Sequence, residues 1–295
     1  MNKVTILVVA LALASFGCVS SSEGIAGAGG SAGAGGNGGA GGEGDATAVT
    51  IQFAAMVDDE AFVCGETYDN LGATGASLVL SDFRFYVQDV ELQNGAGEWV
   101  PVQLSENKFQ NSNVALLDFE DGCGDVGNED LNDGVVGTVP AGQYAGLSFK
   151  MGVPFEMNHV NSATAPSPLN ISALFWNWQG GYKFLRIDSG QFSEADWRMH
   201  LGSTGCEGDA MAGGVTSCAN PNRVEVALDA FDVTTDTVVA DYAALVDGAD
   251  LEDDQAADTG CMSKPADTEC GPLFQNLGLP FGDQSGGTQS FFSAE

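Results

Sequence analysis

Apolar and polar residues alternate over several short stretches of this chain. The alternating apolar positions are Val49, Ile51 and Phe53; Phe83, Phe85 and Val87; Val100, Val102 and Leu104; and Val224, Val226 and Leu228. A period of two residues is typical of strands that bury one face. Turn sequences such as Asn94-Gly95 and Gly180-Gly181 lie between these stretches. Many short strands joined by such turns predict an all-β fold, either an antiparallel β-sandwich or a barrel-like domain.

Helical patterns are short and few in the sequence. We predict short helices over residues 241–246 and 272–277, the second ended by Gly278 in the left-handed conformation. No internal repeat or break in composition divides the chain after its first 46 residues. We therefore predict one β domain over residues 47–295.

The first 46 residues have the composition of a targeting segment followed by a linker. Lys3 precedes an apolar run over residues 4–16, which is too short to span a membrane. Gly17-Cys18 resembles a bacterial lipobox, so we predict a signal peptide over residues 1–18 with Cys18 lipidated; simple cleavage nearby is the alternative. Val19 after Cys18 favours an outer-membrane lipoprotein that faces the periplasm or the cell surface. Residues 19–46 are rich in glycine, which predicts a flexible tether.

The chain is strongly acidic, with 41 Asp and Glu against 9 Lys and Arg and a formal net charge of −32 at pH 7. Nucleic acids and anionic lipids attract proteins through Lys and Arg, so this balance disfavours both as partners. We expect contact with a membrane only through the lipid anchor. Residues 150–206 differ, because four basic and four acidic residues make them formally neutral. They also hold both histidines and three of the four tryptophans, so we look for the functional site there.

Six cysteines follow Cys18, namely Cys64, Cys123, Cys206, Cys218, Cys261 and Cys270. An even number in an exported chain predicts disulfides that staple long loops. The sequence-local pairing is Cys206–Cys218 and Cys261–Cys270, which leaves Cys64–Cys123, and other pairings stay open. Zinc is disfavoured because no two cysteines have Cys-x-x-Cys spacing and no histidine lies near the later pairs.

The candidate site residues are His159, His200, Trp176 and Trp178. Packing in the core is the simplest interpretation of the two tryptophans in Trp176-Asn177-Trp178. The glycines and polar residues that follow them argue for close approach of a ligand or of other backbone instead. Lys183 and Arg186 are expected to pair with Asp188 or other acids.

Ordered blocks of sequence around these residues resemble one known family. The blocks are residues 82–87, 116–121, 152–155, 158–159, 167–170, 175–188, 200–206, 218–223, 260–263 and 277–279. They resemble the MbnP-like proteins, also called the metallo-mystery pair system four-Cys motif family. The resemblance extends over roughly residues 53–279, which makes it more specific than any single motif.

The resemblance implies a copper-binding protein that is not an enzyme and that is made with a dihaem cytochrome c peroxidase-like maturation enzyme. In such proteins the partner oxidises a tryptophan to kynurenine, whose amine joins two imidazoles at one copper ion, expected as Cu(I). Carried over to this sequence, the imidazoles are His159 and His200. The oxidised residue is Trp176 or Trp178, with Trp176 preferred. Imidazole and amine nitrogens suit copper, whereas calcium and magnesium take oxygen ligands.

Two other functions stay open from the sequence. One is a cell-surface adhesive or ligand-binding β-sandwich without a metal, and the other is a metal-dependent oxidase or hydrolase that uses the same histidines. Nucleophilic catalysis has little support, because no serine outside the tether lies in a strand-to-helix turn.

The acidic residues over 118–133 are the remaining candidate for a metal site. Asn128, Asp130 and Asn132 alternate as at the start of a calcium-binding loop, but Asp133 stands where glycine is required. We therefore interpret this stretch as a solvated run of charge.

Overall fold

The computed structural model describes residues 45–123, 127–189, 196–209, 214–252 and 259–295. The predicted signal peptide, Cys18 and residues 19–44 of the predicted tether lie outside these residues. In chain order the strands are β1 (Ala46–Val57), β2 (Glu60–Ala61), β3 (Thr67–Leu71), β4 (Ala76–Asn94), β5 (Trp99–Pro101), β6 (Gln103–Leu104), β7 (Gln110–Asn111), β8 (Val114–Asp118), β9 (Gly134–Pro140), β10 (Tyr144–Met151), β11 (Phe175–Asn177), β12 (Gly181–Tyr182), β13 (Leu185–Ser189), β14 (Arg198–Leu201), β15 (Thr204–Asp209), β16 (Gly214–Asn220), β17 (Val224–Leu228), β18 (Thr237–Asp241) and β19 (Phe292–Ala294).

Two large sheets contain most of these strands. The first has the order β19-β18-β1-β9-β6, and the second has the order β14-β13-β4-β10-β17. Pairing is antiparallel except between β1 and β18, which run parallel. The predicted all-β sandwich is therefore confirmed, and in the part of the chain that the structure describes neither sheet closes into a barrel.

Phenylalanines fill the space between the two sheets. Phe53 of β1 lies 6.0 Å from Phe85 of β4 and 5.6 Å from Phe149 of β10, measured between ring centroids. Phe149 in turn lies 5.1 Å from Phe292 of β19. These residues occupy the alternating positions of their strands, so the prediction of one buried face is confirmed for β1 and β17.

The central strand β4 departs from that prediction, because both of its faces are buried over residues 80–88. Phe83 and Phe85 pack in the core, whereas Asp82, Arg84 and Tyr86 are buried on alternate positions. The hydroxyl of Tyr86 donates to the main-chain oxygen of Pro168. The chain after β10 therefore covers the second face of this sheet.

The predicted strand over residues 100–104 is also different in the structure. β5 pairs with β4 in the second sheet, whereas β6 pairs with β9 in the first. Val102 lies between the two strands and is buried. The alternation in this stretch thus marks a crossing from one sheet to the other.

Three short helices are present in the described residues: α1 (Phe155–Asn158), α2 (Tyr242–Val246) and α3 (Cys270–Asn276). The two predicted helices correspond to α2 and α3. The side chain of Asp241 caps α2 by accepting from the main-chain nitrogen of Ala243, and Gly278 follows α3 with φ +72°. α1 was not predicted. Within the described ranges, no helix is long and apolar enough to cross a membrane.

The disulfides follow the sequence-local pairing, Cys64–Cys123, Cys206–Cys218 and Cys261–Cys270. Cys206 and Cys218 are directly opposite each other in the β15–β16 hairpin, so this bridge joins two strands where loops were expected. Cys261–Cys270 ties the start of α3 to a segment that pairs beside β14.

Candidate metal centre

A small hairpin formed by β11 and β12 carries the tryptophan pair. The side-chain oxygen of Asn177 accepts from the main-chain nitrogens of Gln179 and Gly180, at 2.9 and 2.8 Å, and so forms the turn. At Gly181, whose φ is +79°, a Cβ would lie 2.5 Å from Nδ2 of Asn158. The glycine therefore lets the hairpin approach α1 closely.

Trp176 packs with its six-membered ring against Gly202, just after β14. A Cβ at Gly202 would overlap the ring carbon Cζ3 of Trp176. The indole is half-buried and lines a cavity of about 590 Å³, with further lining from residues such as Ser203, Cys206 and Met262. Trp178 is 38% exposed. Packing in the core therefore describes neither side chain, whereas Trp197 is a buried core residue.

His159 directly follows α1 and contacts the tryptophan hairpin. Its Nδ1 lies 3.1 Å from the main-chain oxygen of Trp178, and its Nε2 lies 3.2 Å from Nδ2 of Asn158. A carbonyl only accepts and an amide nitrogen only donates, so Nδ1 carries the proton and Nε2 carries the lone pair. Burial lowers the pKa of His159. The ring is thus a neutral imidazole, the form that binds metals.

His200 lies on β14 and is buried against Asp188 of β13. Its Nε2 is 2.6 Å from Oδ1 of Asp188. Burial lowers the pKa of His200, although the hydrogen bond to Asp188 opposes this effect. Burial alone would raise the pKa of Asp188, but hydrogen bonds from His200 and Arg186 hold it well below its ordinary value. The carboxylate therefore accepts a proton that the imidazole donates from Nε2.

A chain of ion pairs extends from Asp188 into the protein. Nη2 of Arg186 lies 2.6 Å from Oδ2 of Asp188, and Nε of Arg186 lies 2.9 Å from Oδ2 of Asp82. Arg84 contacts Asp82 at 2.5 Å and Glu120 at 3.5 Å. All five side chains are nearly inaccessible to solvent. The expected pairing of Arg186 with Asp188 is present, whereas Lys183 donates to the main-chain oxygen of Ala173.

The acidic residues after β8 are only partly a solvated run of charge, which corrects the interpretation from the sequence. Asp118 and Glu120 are buried. Burial raises the pKa of Asp118 to about 7 and also raises that of Glu120. Asp130, in contrast, is exposed and pairs with Lys108 at 2.7 Å. The difference arises because Arg84 attracts the first two acids into the interior.

His159 contacts the tryptophan hairpin directly, whereas His200 is connected to it through the segment that follows it. His159 binds the main chain at Trp178, while the segment that follows His200 packs on Trp176 through Gly202. Nε2 of His159 also lies 3.6 Å from Sγ of Cys218. Among the described residues, His159, Cys206 and Cys218 place their ligand atoms within 4.8 Å of one another, and His200 belongs to no such group of three. Both cysteines are already joined in a disulfide.

The sequence analysis did not predict the ion-pair chain, although the sequence contains a signal for it. Charged residues occupy alternate positions inside two apolar stretches, at Asp82 and Arg84 and again at Arg186 and Asp188. Such a pattern indicates a polar face that is buried and paired.

The fold and the site together define a disulfide-bonded β-sandwich with a small tryptophan hairpin, which His159 contacts directly and the segment after His200 contacts through Gly202. The sequence model of the MbnP family matches residues 46–263. A solved structure, MbnP from Methylosinus trichosporium, is similar with a TM-score of 0.74 and 31% identity, and the match covers 85% of this chain and 98% of that one. A search of curated protein sequences gave no significant match. The chain belongs to the MbnP family, which supports a metal-associated role.

Proposed function

We propose that this chain is an exported copper-binding protein that holds one Cu(I) ion through His159, His200 and a kynurenine formed from Trp176. The observation that carries the proposal is the state of the two imidazoles. In each ring one nitrogen donates to a fixed partner, the main-chain oxygen of Trp178 or the carboxylate of Asp188, and the other carries the lone pair that a metal requires. In His159 that lone pair accepts from Asn158, which copper would have to displace.

The donor chemistry of the site fits copper. Neutral imidazole nitrogens suit copper and other late transition metals, whereas calcium and magnesium select carboxylate and carbonyl oxygens. The aromatic amine of a kynurenine would add a third nitrogen. Bound copper would add a positive charge to the site, and the two neutral imidazoles can bind it without a carboxylate ligand.

Trp176 is the better candidate for oxidation to kynurenine. It lies against Gly202, two residues after His200, and lines the open cavity beside the Cys206–Cys218 bridge. Trp178 contributes its main-chain oxygen to His159 and extends its ring towards solvent. An amine formed at position 176 would be near both the cavity and the segment that carries His200.

The partner, the location and the non-enzymatic role are also part of this proposal. A dihaem cytochrome c peroxidase-like enzyme would oxidise the tryptophan, as the resemblance to the family implies. A peroxide would be the oxidant and would be reduced to water, the indole C2–C3 bond would break, and C2 would leave as formate to free the aromatic amine. The three disulfides favour an oxidising compartment, in agreement with an outer-membrane lipoprotein anchored through Cys18. The chain would then bind copper without catalysing a reaction.

Mass spectrometry of protein made together with its dihaem partner tests the proposal. We expect the mass change of kynurenine formation on the peptide that contains Trp176, and one copper per chain. Trp176→Phe should abolish both, whereas Trp99→Phe, a change in β5, should abolish neither. His159→Ala and His200→Ala should each prevent copper loading. An unmodified Trp176 and a copper-free protein would rule the proposal out.

A ligand-binding β-sandwich without metal is the second candidate, favoured by exposed aromatic residues next to His159. Phe155 and Trp178 are 37% and 38% exposed, and Phe155 packs 5.4 Å from the ring of His159. A ligand that binds here would protect Trp178 from fluorescence quenching by acrylamide in copper-free protein. Copper would not be needed for that protection.

A further inference from the structure

We propose that Asp188, held in place by Arg186 and Asp82, is a positioning residue that makes Nδ1 the metal-binding nitrogen of His200. This inference rests on the proposed function, in which His200 is a copper ligand. The inference specifies which ring nitrogen of His200 binds the metal and which buried side chains determine this choice.

The contact with Asp188 selects one tautomer of the His200 imidazole. Nε2 of His200 lies 2.6 Å from Oδ1 of Asp188. The other oxygen of the same group, Oδ2, accepts from Nε and Nη2 of Arg186, so the group is a carboxylate that only accepts. A neutral imidazole carries one proton, which the carboxylate retains at Nε2. The lone pair is therefore at Nδ1.

Arg186 holds the carboxylate of Asp188 in place. Oδ2 of Asp188 accepts from Nε and Nη2 of Arg186, at 2.8 and 2.6 Å. Nε of Arg186 also lies 2.9 Å from Asp82, which in turn receives both Nε and Nη2 of Arg84. The planar guanidinium group of Arg186 thus binds Asp188 through two nitrogens, and that of Arg84 binds Asp82 in the same way. Asp188 cannot rotate without breaking these contacts.

The register of three neighbouring strands aligns His200 with the ion pairs. His200 of β14 is directly opposite Arg186 of β13, and Arg186 is directly opposite Arg84 of β4. Asp188 and Asp82 are opposite each other one pleat away. The row crosses three adjacent strands, so the sheet itself sets the distance between His200 and the ion pairs.

A purely stabilising role does not account for this ion-pair chain. Removing charges from water costs about as much free energy as their mutual attraction contributes, so a buried ion-pair chain adds little net stability compared with apolar packing. Its main effect is to fix the positions of the charged side chains. A metal ligand whose second nitrogen is fixed by a carboxylate uses that geometry directly.

NMR of copper-free full-length protein labelled with ¹⁵N-histidine tests the tautomer. Long-range ¹H–¹⁵N correlations should show His200 protonated at Nε2. In Asp188→Asn the amide presents either an oxygen or an NH₂ group to the ring, so the single tautomer should be lost. Asp196→Asn is the matched control, since Asp196 is a half-exposed carboxylate paired with Arg198, and it should leave the tautomer unchanged.

Titration of matured protein with Cu(I) against the chelator bicinchoninate tests the consequence for the metal. Asp188→Asn should weaken copper binding by about 10- to 100-fold, the usual effect of removing a group that orients a ligand. Asp196→Asn should not. Arg186→Lys is a second variant for the case that Asp188→Asn does not fold. Lysine keeps the charge but cannot bridge both carboxylates, so copper binding should again weaken.

The outcomes separate this inference from the proposed function. A His200 protonated at Nδ1 in wild-type protein overturns the inference, as does an unchanged copper affinity in Asp188→Asn and Arg186→Lys. Absence of copper binding by matured wild-type protein overturns the proposed function instead. In that case the NMR result still decides whether Asp188 sets the tautomer of His200.

Discussion

His159 donates its Nδ1 proton to the main-chain oxygen of Trp178 across 3.1 Å. The contact uses no atom of the indole, whose ring is 38% exposed. Trp178→Phe should therefore leave His159 anchored and change the free energy of unfolding by no more than about 0.5 kcal/mol. Urea denaturation of both proteins measures this difference. A much larger loss of stability would mean that the indole itself supports the hairpin.

The contact between Trp176 and Gly202 leads to a second prediction. A methyl group at position 202 would overlap the indole ring, so Gly202→Ala should displace Trp176 and destabilise the protein by about 1–3 kcal/mol. The change should also shift the tryptophan fluorescence. Gly95→Ala is the control, because a Cβ there meets no other atom within 4 Å. Equal effects of the two substitutions would contradict this account.

Removing one charge from the buried ion-pair chain should be costly. Arg84→Met leaves Glu120 buried without its cation and leaves Asp82 with Arg186 alone, and we expect a loss of about 3–5 kcal/mol. Lys108→Met removes an exposed partner of Asp130 and should cost less than about 1 kcal/mol. Guanidinium denaturation curves of the two variants measure the contrast. A small effect at Arg84 would mean that the neighbouring acids accept protons instead.

Asp118 should make stability decrease as pH rises. Burial raises its pKa to about 7 in the folded protein, above the value of 3.8 that applies when it is exposed. The folded state therefore binds the proton more tightly than the unfolded state does. This contribution is complete below pH 4 and disappears as pH rises through 7, on the order of 3 kcal/mol in all.

Asp118→Asn isolates that contribution, because asparagine resembles the protonated acid. The variant should lose less stability than the wild type between pH 4.5 and 8, as followed by thermal unfolding. Asp130→Asn, which changes an exposed acid in the same stretch, should retain the wild-type slope. Parallel pH profiles for the wild type and Asp118→Asn would show that Asp118 is ionised throughout.

The sequence predicts the elements whose burial follows a simple period. β1 and β17 alternate between core and solvent, so their side chains report the fold locally. β4 could not be read in this way, because what covers its second face lies in residues that follow about a hundred positions later. The pairing of Asp82 with Arg186 is of the same kind, since it depends on the register of β4 and β13.

For the candidate site, the composition of the sequence predicts the segment but not the contacts of its side chains. Residues 150–206 stand out because they are formally neutral and contain both histidines and the tryptophan pair. Which nitrogen of each ring is engaged depends on Asn158, Asp188 and a main-chain oxygen. Local sequence does not specify such partners, because tertiary packing brings them together.

The two charged residues in the middle of β4 also constrain how the sheet can assemble. Side chains alternate along a strand, so a shift of one residue against β13 would exchange Phe83 and Phe85 with Asp82 and Arg84. That shift would place charged side chains in the phenylalanine core and aromatic rings beside the buried arginines. The strand therefore admits one alignment. Asp82 and Arg84 pair with each other within β4, and Asp82 gains Arg186 as a second partner only when β13 docks beside it.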